Sequence, residues 1–227
     1  MKALSVLIAC EESQIVCKAF RALGHEAYSC DIKDCSGGRP EWHLKCDALD
    51  ALQTRTWDLV IAHPPCTYLA DSGARWMYPV KGCEPDPRRL FKMRLARDFF
   101  MEFIDTPFAR HVAIENPTPL TIAKLPKCSQ VIEPWMFGDN YTKRTCLWLK
   151  GLPNLVPSVS VKPDGVQPYI NVGSTTKTPW KRGCCSRRNC QVMRSRTFPG
   201  IAAAMASQWS EFITKTRAKA QRQRRER

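Results

Sequence analysis

In the run Asp58-Leu59-Val60-Ile61-Ala62-His63-Pro64-Pro65-Cys66-Thr67-Tyr68, a short apolar segment follows Trp57 and an acid and is stopped by two prolines. Such a run predicts a buried strand. Neither proline can donate to a β-ladder or enter a helix freely, so the strand must end abruptly. Cys66 therefore stands at the mouth of a strand, beyond the carboxyl end, where α/β sheets place ligands and reacting groups. The Pro-Pro turn also fixes the direction of the sulfur, which an inert packing cysteine does not require. Cys66 is a candidate nucleophile.

Upstream, Leu4 to Ala9 predicts a first strand, and Ser13 to Leu23 a helix with Ile15, Val16, Ala19, Phe20 and Leu23 at helical spacing, closed by Gly24. Ala27 to Cys30 is a second strand ending at Asp31, and Leu44 to Asp47 a third. In nucleoside-binding sheets an acid at the second strand's tip accepts hydrogen bonds from ribose hydroxyls, and Asp47 is placed to reach an adenine amino group. Capping a helix or turn is the competing role for each acid. The glycine-rich turn of a dinucleotide site is missing, for Cys10-Glu11-Glu12-Ser13 stands there. Two acids at that turn repel a diphosphate and leave room for a cationic or uncharged-tail nucleoside cofactor.

Downstream, residues 70–89 form a polar stretch with Ser72-Gly73 and three prolines, which predicts a functional or mobile loop. Leu90 to Ile104 predicts an amphipathic helix, and Val112-Ala113-Ile114 a strand broken by Glu115-Asn116-Pro117. In a parallel sheet these strand ends bring Cys66 and Glu115 to one edge. A thiol and a carboxyl facing one pocket can add a nucleophile to an electron-poor ring and protonate its nitrogen. Thr197 to Ile213 predicts a closing helix, with Gly200 permitting a close backbone approach to the cofactor, the first strand or another packing partner.

The 227 residues, 44% hydrophobic, suffice for one domain over 1–214, with a short basic insert at 152–192 and a basic tail at 215–227 that reads as solvated or frayed. Met1 to Cys10 has neither a cleavage site nor a membrane-spanning length, so a cytoplasmic protein is expected. In a reducing compartment, 12 cysteines point to free thiols, a metal or catalysis. An excess of 35 Lys and Arg over 21 Asp and Glu suits a polyanion such as nucleic acid.

Pro64-Pro65-Cys66 and Glu115-Asn116 resemble the Pro-Cys and Glu-Asn signatures of the cytosine-C5 DNA methyltransferases, in the same order and in matching strand contexts. Ser72-Gly73 and Asp86-Pro87-Arg88 fall where that family has its Ser, Gly and Asp-x-Arg segment. The runs at residues 62–69, 114–117, 134–138, 146–153 and 194–202 resemble the small phage- and prophage-encoded members more closely, and the likeness covers most of residues 4–210.

The resemblance implies a Rossmann-like, S-adenosylmethionine-dependent methyltransferase fold: a mostly parallel sheet flanked by helices, with a small basic insert. It implies that the Cys66 thiolate adds to C6 of a flipped-out cytosine in DNA, that Glu115 holds N3 and the exocyclic amine, and that C5 takes the methyl group. Asn116 would brace the Cys66 loop, and Lys143 or Arg144 would position Glu115 or the pyrimidine O2. Cys10, Glu11, Asp31, Asp47 and Pro64 would line the cofactor. Pro65, Tyr68, Ser72 and Arg75 would face DNA.

Two features depart from the family. Its Phe-x-Gly-x-Gly cofactor turn is missing, and the region left for target recognition is short. That insert interleaves Lys177, Lys181, Arg182, Arg187 and Arg188 with Tyr169 and Trp180, which suits phosphates and stacking on exposed bases. Its Cys184, Cys185 and Cys190, with Cys128, lack a clean Cys-x-x-Cys repeat, and packing is favoured for Cys30, Cys35, His43 and Cys46, so no metal is expected. Neither membrane association nor an obligate protein partner is expected. The alternatives are the same chemistry on a free pyrimidine nucleotide, suggested by the short recognition region, and a catalytically silent nucleic-acid binder. Amino-group methyltransferases place an aromatic residue after Pro-Pro, and Cys66 disfavours them.

Overall fold

Leu59, Val60, Ile61 and Ala62 are completely buried, because the strand they form, β4 (Trp57–Ala62), is the middle strand of a seven-stranded sheet. Burying three such aliphatic side chains stabilises the fold by about 2 kcal/mol each. A computed structural model describes residues 3–80, 82–168 and 196–226. The other strands of the sheet are β1 (Ser5–Ala9), β2 (Glu26–Asp31), β3 (His43–Lys45), β5 (Ala109–Pro117), β6 (Gln130–Ile132) and β8 (Thr145–Lys150). Their order is β3-β2-β1-β4-β5-β8-β6, parallel from β3 through β5, with β8 antiparallel to both its neighbours. β7 (Tyr141–Thr142) and β9 (Gln167–Pro168) pair separately.

Helices cover both faces, as continuous apolar strands require. On the Leu59 and Ile61 face lie α1 (Ile15–Ala22) and the carboxyl-terminal helices α5 (Pro199–Ala204) and α6 (Ser210–Arg225). The Val60 and Ala62 face packs on α2 (Ala48–Gln53), the short α3 (Ala74–Met77) and α4 (Pro87–Asp105). This is an α/β architecture with a mostly parallel sheet, compatible with a Rossmann-like fold. Among the described residues no helix is long and apolar enough to cross a membrane.

Several boundaries differ from the sequence pattern for local reasons. α1 starts at Ile15 rather than Ser13, since Gln14 is in the left-handed region at φ 59°. Residues 70–80 and 82–89 hold a 3-10 turn, α3 and the start of α4. The closing helix does not end at Ile213. It widens into a π segment over Met205–Trp209, then runs to Arg225, so the basic tail through Arg225 is helical and, where described, largely solvent-exposed. Arg217 in that helix bonds Asp58, whose other oxygen accepts from Ser5 N at 2.9 Å, which ties α6 to the amino-terminal edge of the sheet. Gly200 makes the tight packing contact, against the Phe137 backbone: a Cβ there would lie 2.2 Å from the Phe137 carbonyl oxygen.

Candidate active site

The parallel register aligns Ala9, Ala62 and Ile114 across β1, β4 and β5. The next residues are Cys10, His63 and Glu115. Chain connections leave β1 and β4 towards opposite edges of the sheet, and such a switch point opens a crevice beyond the strand ends. His63 N still donates to Ala9 O at 2.9 Å, so the segment holds its register up to the prolines.

On the β1 side, Cys10 has φ 60°, unusual for a residue with a side chain. The neighbouring Glu11 is buried, and its two oxygens accept from Val16 N (2.7 Å) and Cys17 N (3.2 Å), capping α1. Burial pushes its pKa up, against the lowering effects of the His63 charge and those amide bonds. Asp31 accepts from Lys33 N at 3.0 Å, and Asp47 accepts from Leu49 N at 2.8 Å as the cap of α2, so each carboxylate commits one oxygen locally. Cys10, Asp31 and Asp47 nonetheless gather at one place. Burial, then the charges of Asp31 and of Asp47, push the Cys10 thiol up to about 12. Ile32, directly after Asp31, is 71% exposed and offers an apolar surface beside these acids.

Beyond β4, Pro64 is buried, Pro65 is exposed and Cys66 is half-buried. Asn116 donates from Nδ2 to Pro64 O at 2.8 Å, so the β5 strand end grips the turn that carries Cys66. The far side of that turn is held by Arg89, which donates to Thr67 O at 2.7 Å. Tyr68 is covered by two cations, Arg89 at 5.0 Å and Lys92 at 5.6 Å from the ring centre. Gly73 makes room for this clamp, since a Cβ there would lie 2.9 Å from the Arg89 guanidinium. Ser72 and Arg75 are exposed, and Arg75 lies over Trp76.

Glu115 is 7% exposed. Burial raises its pKa, but the Lys143 charge, the His63 hydrogen bond and the His63 charge outweigh it and hold the carboxyl below the ordinary range. Lys143 precedes β8, which runs antiparallel to β5 and therefore begins at this edge. Lys143 Nζ also donates to Arg196 O at 3.3 Å. Arg144 instead donates to Thr118 Oγ1 at 3.2 Å, so of the two predicted cations it is Lys143 whose charge acts on Glu115.

Two contributors were missed in the sequence. His63 Nδ1 lies 3.0 Å from Glu115 Oε2, and Arg89 holds the Cys66 turn. Lys177, Trp180, Lys181, Arg182, Arg187 and Arg188, together with Tyr169, Cys184, Cys185 and Cys190, lie outside the described residues. His43 uses both ring nitrogens, on Ser29 Oγ (2.8 Å) and Lys33 O (2.9 Å), and among the described residues no three potential ligands are grouped to hold a metal ion. A scan against protein-family models and a search of curated proteins return no match.

The geometry therefore offers a thiol on a braced turn, a buried ionised carboxylate on the adjacent strand and a cation beside it. Across the switch point Cys10, Asp31 and Asp47 gather, with the exposed Ile32 next to Asp31 in the chain. Nucleophilic addition assisted by the carboxylate is the chemistry such a set can perform.

Proposed function

We propose that this protein transfers a methyl group from S-adenosylmethionine to C5 of cytosine in DNA through a Cys66 adduct. The observation that carries this reading is the Asn116 to Pro64 hydrogen bond, which fastens the Cys66 turn to the strand end bearing Glu115. Holding two reacting groups in one frame replaces an encounter by an intramolecular step.

The residues around Cys10 suit a nucleoside with a positive centre. Asp31 and Asp47 suit ribose and adenine donors, Ile32 suits a flat apolar face, and the acids that surround Cys10 favour a cation over a diphosphate. S-adenosylmethionine supplies an electrophilic methyl group on a sulfonium. Cys10, Asp31 and Asp47 would hold it, and buried Pro64 would border it.

One proton enters with the base and is held between Glu115 and N3. The Cys66 thiolate forms a bond to C6, the C5=C6 pair moves to C4=C5, and the C4=N3 pair becomes the N3 lone pair. C5 is then electron-rich: its C4=C5 pair would form the bond to the methyl while the N3 pair re-forms C4=N3, the broken S–CH3 pair staying on sulfur as a neutral thioether. Loss of the C5 proton to water restores C5=C6 and expels the thiolate, and the proton that entered with the base leaves with the product, so that Glu115 is again ionised. Lys143 offsets the negative charge of Glu115 throughout. The net charge of +14 favours a polyanionic substrate.

The test is mass spectrometry of nucleosides from a methylation-deficient bacterium expressing the protein, with Cys66→Ser in parallel. New 5-methylcytosine that disappears in the variant is expected. Unmodified DNA from cells holding soluble wild-type protein would refute the reading.

A further inference from the structure

We infer that His63 is a positioning residue for Glu115: its Nδ1–H fixes one carboxylate oxygen so that the other is presented to the pyrimidine. The inference rests on the methyl transfer proposed above and adds to it a residue in the segment between β4 and the Cys66 turn.

Three observations carry it. The first is register. His63 and Glu115 each follow a directly paired residue, Ala62 and Ile114, so their side chains project from the same face of neighbouring strands. The second is the contact itself, 3.0 Å between groups whose side chains are 9% and 8% exposed. An ionised carboxylate has no proton to give, so the imidazole must be the donor. The third is the unpartnered second nitrogen. His63 Nε2 is buried and makes no hydrogen bond among the described residues. A histidine that only fills space is expected to satisfy both nitrogens, as His43 does here.

The neighbours on every side agree with this role. Lys143 acts on Glu115 from the β8 side, and Glu11 feels the His63 charge from the β1 side. Lys143 supplies charge on a flexible stem, whereas the imidazole supplies direction, since its backbone is pinned by Ala9 O and by the following prolines. Without that donor Glu115 keeps a counter-charge and loses its fixed orientation.

The test uses the full chain and two readouts. The Glu115 side-chain carboxyl, followed by 13C NMR and assigned by its loss in Glu115→Gln, needs no substrate. In His63→Ala its titration should move up by about one pH unit, because a hydrogen bond that favours the carboxylate is gone. In His63→Asn, whose amide N–H can stand where Nδ1–H stood, it should return most of the way. In methylation of a cytosine oligonucleotide, His63→Ala should lower kcat at least about 30-fold with KM for DNA within about threefold, the split expected for lost positioning. His63→Asn should recover at least about tenfold of that loss, and His63→Gln, whose amide lies nearer Nε2, should not. An unmoved carboxyl titration in His63→Ala, or equal kcat in the Asn and Gln variants, would overturn the inference. If the alanine variant does not fold, the Asn and Gln comparison decides alone. Wild-type protein that transfers no methyl group while the titration shifts as expected would sink the methyltransferase reading and support the His63 to Glu115 coupling.

Discussion

Replacing Asn116 should unfasten the site, and the cost can be worked from its contacts. Asn116 is 1% exposed, and its Nδ2 donates to Pro64 O at 2.8 Å. Asn116→Ala leaves that buried carbonyl without a donor, which costs about 1–3 kcal/mol. With a urea dependence of about 2–3 kcal/mol per molar, a loss near 2 kcal/mol lowers the unfolding midpoint by about 0.7–1 M. Asn116→Asp is nearly the same shape but sets a carboxylate oxygen against the Pro64 carbonyl. A buried charge without compensation costs about 3–5 kcal/mol, so the aspartate variant should be the less stable of the two at pH 7. Urea titrations followed by circular dichroism measure both. A midpoint within about 0.3 M of wild type for Asn116→Ala, or an aspartate variant as stable as the alanine one, would refute the claim that this bond clamps β5 to the Cys66 turn.

Other consequences can be checked on the same protein. The pKa of Glu115 is depressed, so its contribution to stability is present above the ordinary value of 4.5 and is lost as pH falls through the lower folded value. The stability gap between wild type and Glu115→Gln should therefore be constant near neutrality and close below pH 4.5, and a gap independent of acid would contradict the assignment. Burial pushes Cys10 and Cys17 up to about 12 and Cys146 to about 11. Iodoacetamide at pH 8 followed by peptide mass spectrometry should label the exposed Cys83 well before these three. Gly200→Ala drives a Cβ against the Phe137 carbonyl and Asp139, and should lower stability by about 1–3 kcal/mol or more in the same urea assay.

What could be read in the sequence was whatever is set by neighbours along the chain. The Pro64-Pro65 stop ends β4 by local chemistry, and the apolar runs at residues 4–9 and 59–62 belong to strands buried on both faces. Glu115-Asn116 stood out for the same reason, an acid and an amide before a proline. His63 escaped because its role depends on the β4–β5 register, although the signal was present: bringing Cys66 and Glu115 to one edge also brings His63 beside Glu115. The choice of Lys143 over Arg144 depends on where the strand starts, which spacing alone leaves open by one residue. The helical continuation into the tail was missed because the tail has almost no apolar face. Its Lys, Arg, Ala and Gln are strong helix formers, and continuation from a buried helix removes the nucleation cost that would melt it in isolation.

The most direct test of the central claim is intact-protein mass spectrometry after incubation with S-adenosylmethionine and an oligonucleotide containing 5-fluorocytosine. Fluorine at C5 cannot leave as a proton does, so the adduct should persist once the methyl group has been transferred. The account predicts a covalent species equal in mass to protein plus oligonucleotide plus one CH2 unit, since the methyl group is gained and the thiol proton lost, mapped to Cys66 and abolished in Cys66→Ser. An adduct on another residue, or none with folded protein and both reactants present, would contradict it.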